Sequence, residues 1–212
     1  MEKTANVPDS PGKKIGKEAA VLFVITVLAG ALLAFVNAVT KEPIRQRQLA
    51  AIREAYSKVL PEAVDFKELP LSTEYEENGA KTEAYRGAYV TKSVQGFDEN
   101  QKPVGYVVNV VSPSGFGGDI ELSVGFDSEG TVRGVEILTI NETAGLGMNA
   151  ADESFLNQYL KAGTNGEFRV TKNGAADEFE IDAITSATIT SKAVTDGVNV
   201  ASALVREGGS TE

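Results

Sequence analysis

Residues 182–191 read "DAITSATITS" and gather five hydroxyls, on Thr185, Ser186, Thr188, Thr190 and Ser191. A hydroxyl becomes a nucleophile when a base takes its proton, and histidine is the usual base. The chain has no histidine and no cysteine. A hydrolase triad, a thiolate nucleophile, a disulfide, an iron–sulfur cluster and a histidine- or cysteine-bound zinc are therefore excluded. A threonine without a base can still be an attachment point that another enzyme modifies. The small run Thr185-Ser186-Ala187-Thr188 leaves room for a large group against the backbone. It also precedes a helix start, where free amides and the helix dipole favour an anion such as phosphate. An N-cap explains one or two hydroxyls, and Thr190 or Ser191 fits that role. Any chemistry beyond binding is a cofactor's.

Two glycine-rich stretches could complete such a site. "SPSGFGGDI" at 112–120 lies between two strand patterns and lacks the lysine and following helix of a phosphate-binding P-loop; by itself it reads as a turn. "NETAGLGM" at 141–148 joins a strand to a helix. There Gly145 and Gly147 allow a close backbone approach to a ligand, and Glu142 and Thr143 offer polar contacts. By itself this too reads as an ordinary loop.

These segments must be held by elements whose patterns are plain. Residues 19–40 run without a charge, about 33 Å as a helix, which matches the ~30 Å core of a bilayer. The run is longer than a typical signal-peptide core, although Lys13, Lys14 and Lys17 and the "VNA" at 36–38 resemble signal features. Basic residues flank both ends. The tight cluster at 13–17 and the acidic remainder of the chain put the N-terminus in the cytoplasm and the large domain outside. The first twelve residues look disordered. After the anchor, Leu49, Ile52, Tyr56 and Val59 form the apolar stripe of a connecting helix, with Pro43 in its first turn and Pro61 at its end.

Strand patterns follow in "AYRGAYVTK", "PVGYVVNVVS", "DIELSVGFD" and "TVRGVEILTI", the last two joined by a turn at "DSEG". Leu122, Val124 and Phe126 alternate with polar or small residues, so that strand is expected to have one wet face. "ADESFLNQYLKAG" reads as a short helix, and "EFRVTK" and "EFEIDAI" as strands around "NGAAD". A C-terminal helix over 190–209 presents Val194, Val198, Ala201 and Val205 on one face. Strands and helices do not alternate regularly, which predicts an α+β domain with a mainly antiparallel sheet and flanking helices. The expected organisation is a cytoplasmic tail at 1–17, a transmembrane helix at 18–40, a connecting helix at 41–62 and an extracytoplasmic domain at 63–212. A net charge of −10 from 30 acidic and 20 basic residues argues against a nucleic-acid partner.

In order and spacing the three stretches resemble a known family. "DAITSAT" is similar to the flavinylation motif D-x-x-[ST]-[GS]-A-T of domains whose FMN phosphate is esterified to the last threonine, here Thr188. "NETAGLG" resembles a flavin-lining E-T-P-G-L-G segment and "GFGG" a G-Y-G-G segment, with Ala144 where proline is usual and Ser186 where glycine is commonest. With one preceding membrane helix, the whole resembles the G-type subunits of Rnf ion-translocating electron-transport complexes. The resemblance implies a single FMN-binding domain and an electron-carrying subunit with no catalytic side chains of its own. It also implies a complex coupling electron flow between reduced ferredoxin and NAD to Na⁺ or H⁺ transport. The implied partners are the other membrane subunits and a flavin transferase that attaches FMN from FAD. The implied cofactor residues are Thr188 as the covalent anchor, with Asp182, Thr185, Ser186, Ala187, Glu142, Thr143, Leu146 and Gly147. Other readings are the C-type subunit of a Na⁺-translocating NADH:quinone reductase, a flavin domain of an electron-export chain, and a membrane-anchored binding module without cofactor.

Overall fold

A computed structural model describes residues 11–160 and 162–208. Of the twelve residues expected to be disordered, the first ten lie outside the described residues, and Pro11 and Gly12 instead open a helix. The chain divides into two compact units, one up to Ala50 and one from Ala51.

Helix α1, Pro11–Val59, belongs to both units. In the first unit it carries the uncharged run, whose side chains are exposed along its length. Among the described residues it is the one helix long and apolar enough to cross a membrane by length and composition. The expected division into a helix at 18–40 and a second starting at 41 does not occur: the helix is continuous and Pro43 lies inside it. Proline's fixed φ is itself helical, so a long helix can pass through it for the loss of one amide bond.

In the second unit, β1 (Asp65–Leu69), β2 (Tyr89–Phe97), β3 (Pro103–Ser112), β4 (Ile120–Asp127) and β5 (Val132–Thr139) form one antiparallel sheet in chain order. The β4–β5 turn is closed by Asp127, whose carboxylate accepts the N–H groups of Glu129 at 3.0 Å and Thr131 at 2.9 Å. Strand β1 has no counterpart in the sequence reading. Its "DFKEL" is half exposed and pairs only with β2, so it lacks the alternation that marks a half-buried strand.

The wet face expected of β4 is also absent, since Ser123 and Gly125 are buried. The last turns of α1 cover that face. A β-carbon on Gly125 would stand 2.1 Å from the Val59 carbonyl oxygen, and one on Gly134 2.5 Å from the Val59 Cα. The small residues that look like a solvent face are small because a helix backbone lies on them. Tyr56, Val59, Leu60 and Ala63 pack there against Val94 and Val107, while Leu49 is exposed. One polar chain crosses this core: the Ser123 hydroxyl donates to the Asn109 side-chain oxygen Oδ1, and the Asn109 side-chain Nδ2 donates to the Tyr56 hydroxyl.

The opposite face of the sheet carries the larger core, covered by α3 (Thr188–Arg206). Val194, Val198 and Ala201 are buried as the periodicity predicts. The expected helix after residue 150 is broken into a 3₁₀ turn at Gly147–Ala151, a single α-turn α2 at Glu153–Leu156 and a second 3₁₀ turn at Asn157–Tyr159. Its apolar stripe still reaches the core through Phe155, Leu156 and Tyr159. Strands β6 (Arg169–Thr171) and β7 (Glu180–Asp182) form a separate parallel pair, and β7 leads into the hydroxyl cluster.

Candidate functional site

The three chemistry-bearing stretches meet at the start of α3. After β7 the chain makes a turn in which the Ala187 N–H donates to the Ile184 carbonyl at 3.0 Å. Ser186 takes a left-handed φ of +62° inside that turn. A residue with a β-carbon is strained there, which explains why glycine suits the position. Ser191 fastens the turn to the helix: its hydroxyl accepts the Ile184 N–H at 3.0 Å and donates to the Ala187 carbonyl at 2.9 Å.

Helix α3 begins at Thr188, two residues earlier than the periodicity suggests, with Ala187 as its N-cap and no side-chain capping bond. Neither Thr190 nor Ser191 caps it. The Thr190 amide is itself one of the free amides of the first turn, while the Ser191 amide donates to the Ala187 carbonyl at 3.0 Å and closes that turn. The free amides and an absence of acidic residues in that turn leave a positive helix end, a place suited to phosphate.

The second wall comes from the loop after β5. The Thr143 carbonyl accepts the Leu146 N–H at 3.1 Å and the Met148 N–H at 3.2 Å, around Gly145 at φ +74°. The Glu142 carboxylate accepts the Phe116 N–H at 2.8 Å, tying in the glycine-rich loop between β3 and β4. Two glycines permit this approach. A β-carbon on Gly117 would stand 1.8 Å from the Asn141 carbonyl oxygen, and one on Gly147 2.6 Å from a Glu142 carboxylate oxygen.

Between these walls lies a cavity of ≈ 340 Å³, within the size range of cofactor pockets. Glu142, Thr143, Leu146, Gly147, Ser186, Ala187 and Thr188 line it. Asp182 and Thr185 do not; both are exposed. Gln158 holds the Asp182 backbone, accepting its N–H at 2.7 Å, and leaves the carboxylate outside the cavity. Three further residues, Phe116, Ile189 and Thr190, complete the lining. Phe116 is 71% exposed and Ile189 50%, unusual for large apolar side chains. Thr190 is buried, yet its hydroxyl makes no hydrogen bond among the described residues. The alternation Thr188-Ile189-Thr190 at a helix start is the available sequence signal for these last two.

Apolar residues for a flat ring system, small residues against the backbone, and free helix amides for a phosphate together fit a flavin mononucleotide. Residues 115–203 match the FMN-binding domain family, and residues 1–59 match the RnfG N-terminal region. The G subunit of the Na⁺-translocating ferredoxin:NAD⁺ oxidoreductase complex of Acetobacterium woodii is 34% identical over 195 residues, covering 89% of this chain and 90% of that one. The chain belongs to the RnfG family. Another RnfG-type relative, the G subunit of the ion-translocating oxidoreductase complex of Methanosarcina acetivorans, is 31% identical over 195 residues. That match covers 91% of this chain and 95% of the relative. The RnfG chain also shares its fold with the C subunit of the Na⁺-translocating NADH-quinone reductase of Parabacteroides distasonis. That likeness has a TM-score of 0.52 at 20% identity and covers 79% of this chain and 97% of that one. As an RnfG-family member the chain is a membrane-anchored, FMN-binding subunit of a multi-subunit oxidoreductase complex, with a role in electron transfer.

Proposed function

We propose that the chain carries FMN as a phosphoester on the Thr188 side-chain oxygen and relays electrons inside an Rnf-type complex. In that complex, electron flow between reduced ferredoxin and NAD is coupled to Na⁺ or H⁺ movement. The observation that carries this reading is the position of Thr188: half-buried, lining the cavity, and first residue of a helix whose N-terminal amides have no side-chain cap. The amides of the first turn hold a phosphate there without any basic side chain. Ser186 and Ala187 keep the approach narrow and free of bulk. Phe116, Leu146 and Ile189 supply apolar surface for the ring system, and the unpaired Thr190 hydroxyl supplies a polar contact. The bound flavin supplies one-electron chemistry, so no protein acid, base or nucleophile is required.

Asp182 and Thr185, exposed outside the cavity, are assigned to recognition by a flavin transferase that attaches FMN from FAD. The translocase activity belongs to the assembled complex, because the one candidate span carries no charge within residues 19–40. The basic cluster at 13–17 supports an N-terminus in the cytoplasm and a flavin domain on the extracytoplasmic side.

Co-expression with a flavin transferase followed by a denaturing gel tests the attachment. Wild-type chain is expected to give a fluorescent band that survives unfolding, and Thr188→Val to give none. A band that persists in Thr188→Val moves the anchor elsewhere. No band in wild-type material defeats the covalent reading.

A further inference from the structure

The sequence pattern suggests Glu142 as a flavin contact, and its geometry argues for a different task. One carboxylate oxygen accepts the Phe116 N–H at 2.8 Å. The other faces Gly147 so closely that a β-carbon there would stand 2.6 Å from it. The carboxylate therefore ties the start of the strand-to-helix loop to the glycine-rich loop, and it lies against the 3₁₀ turn that begins at Gly147. A carboxylate would also repel a nearby phosphate, which makes it a poor direct ligand for that group. Phe116 is held differently from the rest of the lining. The residue is 71% exposed, so burial contributes little to keeping it at the cavity. Its place depends on its backbone, and the described bond fixing that backbone is the one to Glu142.

We propose that Glu142 is a positioning residue that clasps the glycine-rich loop through the Phe116 amide and so keeps the Phe116 side of the cavity closed. The consequence for the bound flavin rests on the function proposed above; the clasp itself does not. Charge and reach are separable by two conservative variants. Glu142→Gln keeps the length and an acceptor oxygen but loses the charge. Glu142→Asp keeps the charge but is one methylene too short to reach Phe116 without loop movement.

The test has two arms on the full chain in detergent. In flavin-free protein, hydrogen exchange at the Phe116 amide is expected to speed up by roughly ten- to a hundredfold in Glu142→Asp. It is expected to change by less than about tenfold in Glu142→Gln, as the loss or retention of that hydrogen bond implies. In protein produced with a flavin transferase, iodide is expected to quench flavin fluorescence more strongly in Glu142→Asp than in Glu142→Gln or wild type. Exchange at Phe116 that is unchanged in Glu142→Asp overturns the clasp. Quenching that rises in Glu142→Gln and not in Glu142→Asp also overturns it, in favour of a direct effect of charge. If wild-type protein acquires no flavin, the function proposed above fails and the exchange arm alone still decides the clasp.

Discussion

The body of α3 and its first turn treat their polar side chains in opposite ways. In the body, Thr195 donates to the Ser191 carbonyl and shares a 2.8 Å bond with the Tyr159 hydroxyl. Asn199 accepts the Phe168 N–H at 2.8 Å and donates to the Phe168 carbonyl at 2.9 Å. Ser202 bonds back to the Val198 carbonyl. In the first turn Thr188 and Thr190 face the cavity and make no hydrogen bond among the described residues, and the residue before them, Ala187, caps nothing. One helix thus has a satisfied interior and an unsatisfied end. Buried polar groups are ordinarily paired because leaving them unpaired costs stability. Within α3 the unmet capacity lies at the cavity, where a ligand would meet it, and the paired part is scaffold.

The contrast makes quantitative demands. Asn199→Ala strips both partners from Phe168 inside the core and is expected to cost about 2–4 kcal/mol. Denaturant unfolding of the full chain in detergent, followed by near-UV circular dichroism, measures it; a loss below about 1 kcal/mol would mean that the interior is not the scaffold described. Ser186→Gly relieves a left-handed φ and is expected to gain about 1 kcal/mol in the flavin-free chain by the same measurement.

Asp196 adds a pH dependence to the scaffold side. Burial pushes its carboxyl above the ordinary value of 3.8, and the opposing influence of its ion pair with Arg86 is smaller. A raised folded-state pKa means that the contribution is most favourable below the unfolded value and declines as pH rises through the folded one. Asp196→Asn is therefore expected to lose less stability than wild type between about pH 4 and neutrality, measured as the difference in unfolding midpoint across that range. An identical slope in both proteins would remove Asp196 from the explanation. The smallest effect belongs to Thr190→Val. With no bond to lose, it is expected to lie within about 0.5 kcal/mol of wild type in the flavin-free chain. A loss as large as that of Asn199→Ala would erase the distinction between the two ends of the helix.

Much of this architecture is legible from periodicity. Strand β3 coincides with "PVGYVVNVVS", and the β4–β5 turn and the buried stripe of α3 follow their patterns. What the pattern hides are positions whose character depends on a distant partner. Gly125 and Gly134 look like gaps on a solvent face until the end of α1 is laid against them. The edge strand β1 is held by β2 and carries no pattern of its own. At the cavity, residue type points to Thr188, Ser186, Ala187 and the 142–147 loop. Phe116 escapes such a reading because an aromatic in a glycine-rich turn is ordinary until the turn is seen tied to Glu142. Asp182 and Thr185 belong to the same motif as Thr188, but Asp182 ends β7 with its backbone held by Gln158, and neither residue lines the cavity.

The sequence by itself determined which chemistry was open to this protein. Without histidine or cysteine there is no histidine-based acid–base or thiol catalysis, and an uncharged run of bilayer length supplies an anchor. These are properties of residue types and of short-range order. Tertiary structure decided which of five clustered hydroxyls meet the cavity, where α3 begins, and that a carboxylate holds a loop. Those outcomes depend on close approaches between segments far apart in the chain. At separations of about 2–3 Å one missing β-carbon or one backbone amide settles the arrangement, and a linear pattern does not encode such distances.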